Sequence, residues 1–288
     1  MITRKSKSNT NWIAQSRRAL VAIASVIVPL VAPIVFAQTP TASRPTTISV
    51  KSGRPLADAL DKIEKLFGQP ITFEEVPHQS PSYLKTLTVA TGSGPRQVLF
   101  TPITDLSVMV DPASSTAYSA AQRALAAHVA LGQPGIYTVV QRATTVDVTP
   151  EQVLNASGSL SSVTPIMSQP ITFPLATRTG WDTLQLTVNQ ISAQSGARIV
   201  ILNPFFSFNQ SLALAATGES ARDVISGMGA KLGTTVSFEC LYDAGDRAYY
   251  LTIKGVNPPP PSGLTPPRGK TSGGSSAPSN SPFFTKAQ

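Results

Sequence analysis

The sequence predicts an α+β fold of two small units, each with two helices packed on short mixed or antiparallel strands in the order βαββαββ, with disordered segments at both ends. Short runs that alternate apolar and polar residues indicate strands, and apolar residues spaced by three and four positions indicate two helices in each half. Gly68 and Gly196, which each end the first helix of a half, lie 128 residues apart. That spacing indicates two copies of one unit.

The second unit, residues 165–256, has the clearer pattern. Apolar runs predict its strands at 171–177, 198–203, 211–215, 235–242 and 247–254. Thr179 and Ser220 each stand three residues before an aspartate, Asp182 and Asp223, and this spacing is typical of a helix N-cap and its capping partner. The alternation in the first strand places three residues on one face: Ile171, Phe173 and Leu175.

The first unit, residues 47–150, repeats much of this order around an insert at 84–110. Strands are predicted at 47–51, 71–73, 136–140 and 144–148, and Pro55 opens the first helix at a position where its missing amide is harmless. Ser114 or Ser115 caps the second helix, with these residues inward: Tyr118, Ala121, Leu125 and Val129. A Ser/Gly-rich linker, 151–164, joins the units.

Residues 1–37 have the form of a secretory signal, with five cations up to Arg18, an uncharged run from Ala19 to Ala37 and small residues at its end. An uncleaved N-terminal anchor is the alternative, because nineteen apolar residues are long enough to span a membrane. Arg17 and Arg18 also fit a twin-arginine signal, so the Sec route and the twin-arginine route of export both stay open. No Cys stands directly after the run, which excludes lipoprotein attachment. We predict an exported protein, periplasmic or associated with the outer membrane.

The last segment, 257–288, is rich in Pro, Gly and Ser and is predicted to be a disordered tail. It serves either as an inert solvated tail or as a spacer or proline-motif ligand. Phe283 and Phe284 near its end are a candidate partner contact. Residues 38–46 form a short linker after the signal.

The charge distribution excludes nucleic acid as a partner of the folded body. The chain has 23 basic and 15 acidic residues and a net charge of +8, but residues 38–257 hold 15 of each. The excess therefore lies in the two ends, and the body offers no basic footprint. A single cysteine, Cys240, excludes an internal disulfide and a cysteine zinc cluster.

The residues predict no catalytic, cofactor-binding or metal-binding site. The motif Gly-x-Ser-x-Gly is missing. His128 has no acidic neighbour on its helix, and Glu74 and Glu75 are adjacent on a strand and point to opposite faces. His78 is interpreted as a solvated loop residue rather than a metal ligand, and Cys240 as a small core residue rather than a redox thiol.

Tyr249 and Tyr250 are the other candidate partner contacts. Adjacent residues on a strand point to opposite sides, so one tyrosine is expected to be exposed. If the last strand lies at a sheet edge, it offers backbone groups and an aromatic side chain to an added strand.

The two units resemble the short N-terminal domain of secretins and TonB-dependent receptors, the STN domain. In the first unit the resemblance rests on 48–50, 55–60 and 71–73, and the second matches more completely from Phe173 to Ile253. The resemblance covers about two-thirds of residues 45–257 and consists of hydrophobic spacings. It implies a small α+β module that contacts proteins in the envelope, with no catalytic residues to transfer. Neither a barrel nor a secretin core follows here, so a receptor or assembly role does not simply carry over.

Two functions follow as hypotheses. The first is an exported cell-envelope protein that acts as a non-catalytic protein-interaction module in assembly, secretion or signalling, with envelope proteins as partners and with membrane contact only through an uncleaved N-terminal segment. The alternative is a periplasmic enzyme or small-ligand-binding protein with a site between the units, built from Glu75, His78 or Asp105.

Overall fold

The computed structural model describes residues 44–256, apart from residues 79–82, 93, 156 and 203–205. The predicted signal or anchor at 1–37 and the tail at 257–288, with Phe283 and Phe284, lie outside the described residues. All described residues belong to one compact unit.

The N-terminal half contains two helices and seven strands. The helices are α1 (Pro55–Phe67) and α2 (Ala117–Ala130), and the strands are β1 (Thr46–Ser52), β2 (Ile71–Glu74), β3 (Lys85–Thr91), β4 (Gly94–Phe100), β5 (Thr104–Val110), β6 (Ile136–Gln141) and β7 (Val146–Leu154). Strands β1 and β5 pair antiparallel as a two-stranded sheet. Strand β7 pairs parallel with β2 on one side and antiparallel with β6 on the other.

The C-terminal half follows a short strand, β8 (Leu160–Ser162), that pairs with β7. Its elements are β9 (Pro170–Thr179), α3 (Gly180–Ser195), β10 (Arg198–Ile201), β11 (Ser211–Ser220), α4 (Ala221–Lys231), β12 (Val236–Asp243) and β13 (Ala248–Gly255). Strands β9 and β11 pair antiparallel, β13 pairs parallel with β10, and β13 pairs antiparallel with β12.

The two halves have the same strand pairings once the β3–β4 hairpin is set aside. Strands β1, β2, β5, β6 and β7 pair with one another as β9, β10, β11, β12 and β13 do. The α+β prediction is therefore confirmed, with four helices among the described residues. The order predicted for the second unit, βαββαββ, is the order observed.

One sheet runs through both halves. Strand β12 pairs parallel with β2, with Glu239 opposite Phe73 and Cys240 opposite Glu74, which gives the order β10-β13-β12-β2-β7-β6. With β8 on β7, this sheet has seven strands. The boundaries predicted from sequence differ here, because the linker at 151–164 contains the end of β7 and all of β8.

The predicted insert at 84–110 also differs from the observed structure. Its last strand, β5, is the antiparallel partner of β1 and belongs to the repeated unit. Only the β3–β4 hairpin is additional to that unit.

The helices of the two halves cover opposite faces of the shared sheet. On β2, Phe73 lies in the core formed with α1 and α2, whereas its neighbours Thr72 and Glu74 point to the other face and meet α4. On β12, Cys240 lies in the core formed with α3 and α4, whereas Leu241 packs against the first core. Each half therefore covers the face that the other leaves open.

The helix ends follow from local chemistry. The side chains of Thr179 and Ser220 accept hydrogen bonds from the amides of Asp182 and Asp223, as the sequence predicts. Gly196 ends α3 with a φ of 69°, a left-handed conformation that glycine adopts without steric cost.

The start of α2 was predicted wrongly at Ser114 or Ser115. The N-cap is Thr116, whose side chain and that of Ser119 bond each other's backbone amides, while Ser114 bonds Asp111 instead. The inward face also differs, because α2 packs through small alanines and His128 and leaves Val129 exposed.

Leu175 does not share the buried face of Ile171 and Phe173. Its side chain is 72% exposed. The register of β9 with β11 shifts between Leu214 and Ala216, opposite Ala176 and Phe173. This bulge breaks the alternation that the sequence pattern assumes.

Replacing Ile225 by alanine tests the second core. This fully buried side chain of α4 packs among α3, α4 and the sheet, so its truncation should lower the free energy of unfolding by about 2 to 5 kcal/mol. Leu175→Ala, at an exposed position, should change it by less than about 0.5 kcal/mol. Denaturant unfolding measures both, and similar losses in the two variants would contradict the core assignment.

Candidate interaction site

The joint, meaning the β12–β2 pair and the side chains that cross it, contains a buried ionic cluster. Arg222, in the first turn of α4, is only 4% exposed and donates to Thr72 Oγ1. Its Nη2 lies 3.4 Å from Glu74 Oε2, and its Nη1 lies 3.7 Å from Asp147 Oδ1. The guanidinium group lies over the ring of Phe238 at 5.0 Å. One cation of the C-terminal half thus contacts two carboxylates of the N-terminal half.

Glu74 joins this cluster to the segment that connects the halves. Its carboxylate accepts hydrogen bonds from the amides of Ile166 and Met167, the latter at 3.1 Å. Burial raises the pKa of Glu74 to about 7, against the opposing effect of Arg222 and the two amides. Glu74 therefore contacts both α4 and the segment that connects the halves.

The opposite face of the joint has a second polar cluster. Lys254 of β13 donates to Asp61 of α1 at 2.8 Å and to Glu239 of β12 at 2.7 Å. These three side chains are partly buried, whereas Glu64 of α1 is buried and accepts a bond from the amide of Ile71 at 2.7 Å. Helix α1 therefore reaches the C-terminal half on this face as α4 reaches the N-terminal half on the other.

Glu75 and His78, two of the three residues of the alternative hypothesis, lie beside Tyr242 near the joint. Glu75 accepts from Arg54 Nε at 3.2 Å and from the Tyr242 amide at 2.9 Å, and burial raises its pKa to about 7. His78 is 3% exposed, which contradicts the solvated-loop interpretation, and its burial lowers the pKa of the imidazole. Its ring packs edge-on against Tyr242 at 5.9 Å.

Asp105, the third residue of that hypothesis, lies elsewhere. It is an exposed residue of β5 that forms an ion pair with Lys51 of β1 at 3.7 Å. The three residues proposed for a single site are therefore not brought together.

An open groove lies beside the joint. It has a volume of about 320 Å³, and its walls include Pro77, Ile166, Gly196, Tyr249 and Arg247. Among the described residues that line it, Arg247 is the only cation, and its backbone φ of 49° lies in the left-handed region that favours glycine. The buried carboxylates of Glu74 and Glu75 do not line this groove.

The β3–β4 hairpin presents the largest group of exposed apolar side chains in the described part of the chain. Leu87, Val89, Val98 and Phe100 share one face, because Leu87 pairs with Val98 and strand residues two apart lie on the same side. All four are exposed, and so is Leu99 on the other face. The described residues pair β3 and β4 only with each other.

The condition for strand addition at the last strand, that it lies at a sheet edge, is not met. Strand β13 lies between β10 and β12. Tyr249 is buried, with its ring 5.1 Å from that of Tyr242, and the Tyr250 hydroxyl donates to Asp246 at 2.5 Å. Cys240 is a buried core residue, as the sequence predicts, and burial raises the pKa of its thiol.

The sequence contained a signal for the hairpin, since alternating apolar runs flank Gly92 and Gly94. It gave no signal that other elements would leave the hairpin uncovered, because a buried strand pair has the same alternation.

Three further observations concern partners and ligands. Within the described ranges, no group of three His, Cys, Asp or Glu residues is placed to hold a metal ion. The same residues include no helix with the length and hydropathy needed to cross a membrane. No family model, curated protein or solved structure matches the chain.

Replacing Arg222 by methionine tests the ionic cluster. The change leaves Glu74 and Asp147 buried without their cation, so the free energy of unfolding should fall by about 3 to 5 kcal/mol. Adding Glu74→Gln should recover part of the loss, because it removes one uncompensated charge. Lys231→Met, on the exposed end of the same helix, is the matched control. Denaturant unfolding measures the free energy of unfolding of each variant. An equal loss in the Lys231→Met control would refute the stabilising role of the ionic cluster.

Replacing Glu75 by glutamine tests the pH dependence. Because burial raises the folded-state pKa to about 7, the folded chain binds this proton more tightly than the unfolded chain. The resulting stabilisation is complete below the unfolded pKa and is lost as pH rises through about 7. Relative to the unmodified chain, the stability of E75Q should therefore rise by about 1 to 3 kcal/mol from about pH 5 to about pH 8.

Both proteins keep Glu74 and His78, so the difference between their denaturant midpoints isolates Glu75. A difference that stays constant with pH would contradict the raised pKa.

Proposed function

We propose that the protein is exported and acts in the cell envelope as a non-catalytic protein-interaction module, in assembly, secretion or signalling. The observation that carries this proposal is the exposed apolar face of the β3–β4 hairpin. The signal-like segment at 1–37 and the resemblance of both halves to the STN domain support the location and the class of function.

The hairpin's energetics favour a bound state. An isolated two-stranded hairpin is marginally stable in water, and a contiguous exposed apolar surface is typical of an interaction site. Leu87, Val98 and Phe100 each lose solvent contact when covered, and full burial of such side chains is worth about 1.5 to 3 kcal/mol apiece. A partner that covers this face therefore stabilises both the complex and the hairpin.

The charges around this face indicate the partner's chemistry. Lys85 lies next to Phe100 and Arg96 next to Val89, so a cation stands at each end of the apolar surface. Interfaces commonly place an apolar centre inside a polar rim. We infer an apolar protein surface flanked by acidic residues as the occupant.

The groove beside the joint supports a second candidate, a small-ligand-binding role. Its volume of about 320 Å³ is at the lower end of ligand sites, and Arg247 would favour an anionic group. Tyr249, the aromatic residue predicted as a partner contact, lines this groove.

Site-specific photo-crosslinking in the envelope tests the main proposal. We expect a crosslinker at Leu87 to join the exported chain to another envelope protein, and Val98→Asp to reduce the yield at least about tenfold by burying a charge in the contact. A crosslinker at Leu175, an exposed leucine on β9, is the matched control. Equal adducts from both positions, or none from Leu87 in an envelope fraction that contains the chain, would overturn it.

A further inference from the structure

We propose that copies of this chain associate by parallel pairing of the outer strand β6 of one copy with the outer strand β10 of another. This contact between molecules would have the same geometry as the joint that β12 and β2 make within one molecule. The occupant of each edge is thus the opposite edge of a second copy. The inference rests on the strand topology and does not depend on the hairpin or its partner.

The strand order leaves two complementary edges. The halves contribute β10-β13-β12 and β2-β7-β6, and the joint pairs the third strand of one with the first strand of the other. This leaves β10, the first strand of the C-terminal half's set, and β6, the third strand of the N-terminal half's set. Each has one neighbour among the described strands. The internal joint therefore shows how these two strand types fit together.

The strand directions allow the contact to be repeated. Strands β12 and β2 are parallel, β10 runs opposite to β12, and β6 runs opposite to β2. Strands β6 and β10 consequently run the same way. The helices also fit, because the halves place them on opposite faces, so α3 and α4 of a second copy would cover the face that α1 and α2 leave open.

The repeat aligns individual residues across the two contacts. Phe73 and Ile201, which are 128 positions apart, both pack toward the helices of their own half, so Glu74 corresponds to Leu202. Cys240 pairs with Leu251 as Val139 pairs with Val148. Because Cys240 lies opposite Glu74, Val139 of one copy is expected opposite Leu202 of the next.

The chemistry of the corresponding positions changes in a matched way. Where the internal joint has Thr72 and Glu74, the β10 edge has Val200 and Leu202. Where α4 places Arg222 at its second residue, α2 has Tyr118. A cation over carboxylates is thus replaced by an aromatic ring over aliphatic side chains, and both arrangements are complementary.

The other face shows the same correspondence. In the repeat, Asp61 of the internal cluster corresponds to Asn189, Lys254 corresponds to Glu151, and Glu239 corresponds to Thr138. Thr138 already donates to Glu151 within one chain. The exposed Asn189 of a second copy would add an amide donor to that carboxylate.

The apolar composition of both edge strands favours pairing. Strand β6 has the sequence Ile-Tyr-Thr-Val-Val-Gln, and β10 has Arg-Ile-Val-Ile. Neither contains Pro or Lys, two residues that commonly block an open edge. Val140 is 44% exposed and Leu202 is 50% exposed, although parallel strands are normally covered on both faces. A head-to-tail contact of this kind builds open chains or rings.

Cysteine pairing between two singly substituted full-length chains tests the inference. Val139→Cys and Leu202→Cys place thiols on opposite positions of neighbouring strands, within the range a disulfide spans. We expect mild oxidation to give a covalent dimer in the mixture and none from either variant alone, because each edge pairs only with the other. The native Cys240 is buried and common to all samples.

Light scattering on dilution gives a second measure. Leu202→Asp should weaken self-association at least about tenfold, and Leu175→Asp should leave it unchanged. Crosslinking of Val139→Cys or Leu202→Cys with itself would indicate a symmetric contact and overturn the proposal. A chain that stays monomeric at every concentration and forms no mixed dimer would also overturn it. Neither of these outcomes would affect the crosslinking test of the hairpin.

Discussion

The parallel pairing of β12 with β2 is the constraint on which the rest of the structure depends. Each half has a sheet that its own helices cover on one face only. The joint places the halves so that α4 covers the open face of β2 and β7, and α1 covers that of β12 and β13. Thr72 and Asp147 are buried for this reason, although they lie on the face away from their own helices. The halves therefore complete each other's cores.

The joint's buried charges explain how this arrangement is specified. A purely apolar contact between strands tolerates a slip in register, whereas Arg222 meets Thr72, Glu74 and Asp147 only when Cys240 lies opposite Glu74. A slip of one residue between β12 and β2 would turn Glu74 away from α4 and leave Arg222 unpaired. Buried ion pairs contribute little net stability, so we attribute the cluster's role to selecting one register.

Local chemistry determined what the sequence could predict. Thr179, Ser220 and Gly196 act through neighbours within four residues, so the helix ends were predicted correctly. One error is also local, since the N-cap of α2 is Thr116 and not Ser114 or Ser115. The other errors concern contacts distant in sequence. Whether the strand of Tyr250 lies at an edge stayed open in the sequence, because the pairing of β10 with β13 joins segments about fifty residues apart. The burial of His78 depends on Tyr242, which also lies in the other half.

The same limit explains why the exposed surfaces escaped prediction. Alternating apolar residues in β3, β4 and β6 have the pattern of covered strands, and only the complete set of neighbours shows that they are open. In the described structure, the exposed apolar side chains include those of the hairpin, Val140 on one outer strand and Leu202 beside the other. Arg222 and the four buried carboxylates find partners within the chain, whereas the described elements leave these apolar surfaces uncovered. We propose that they take part in association, and the different chemistry of the hairpin and of the two edges favours a different partner for each.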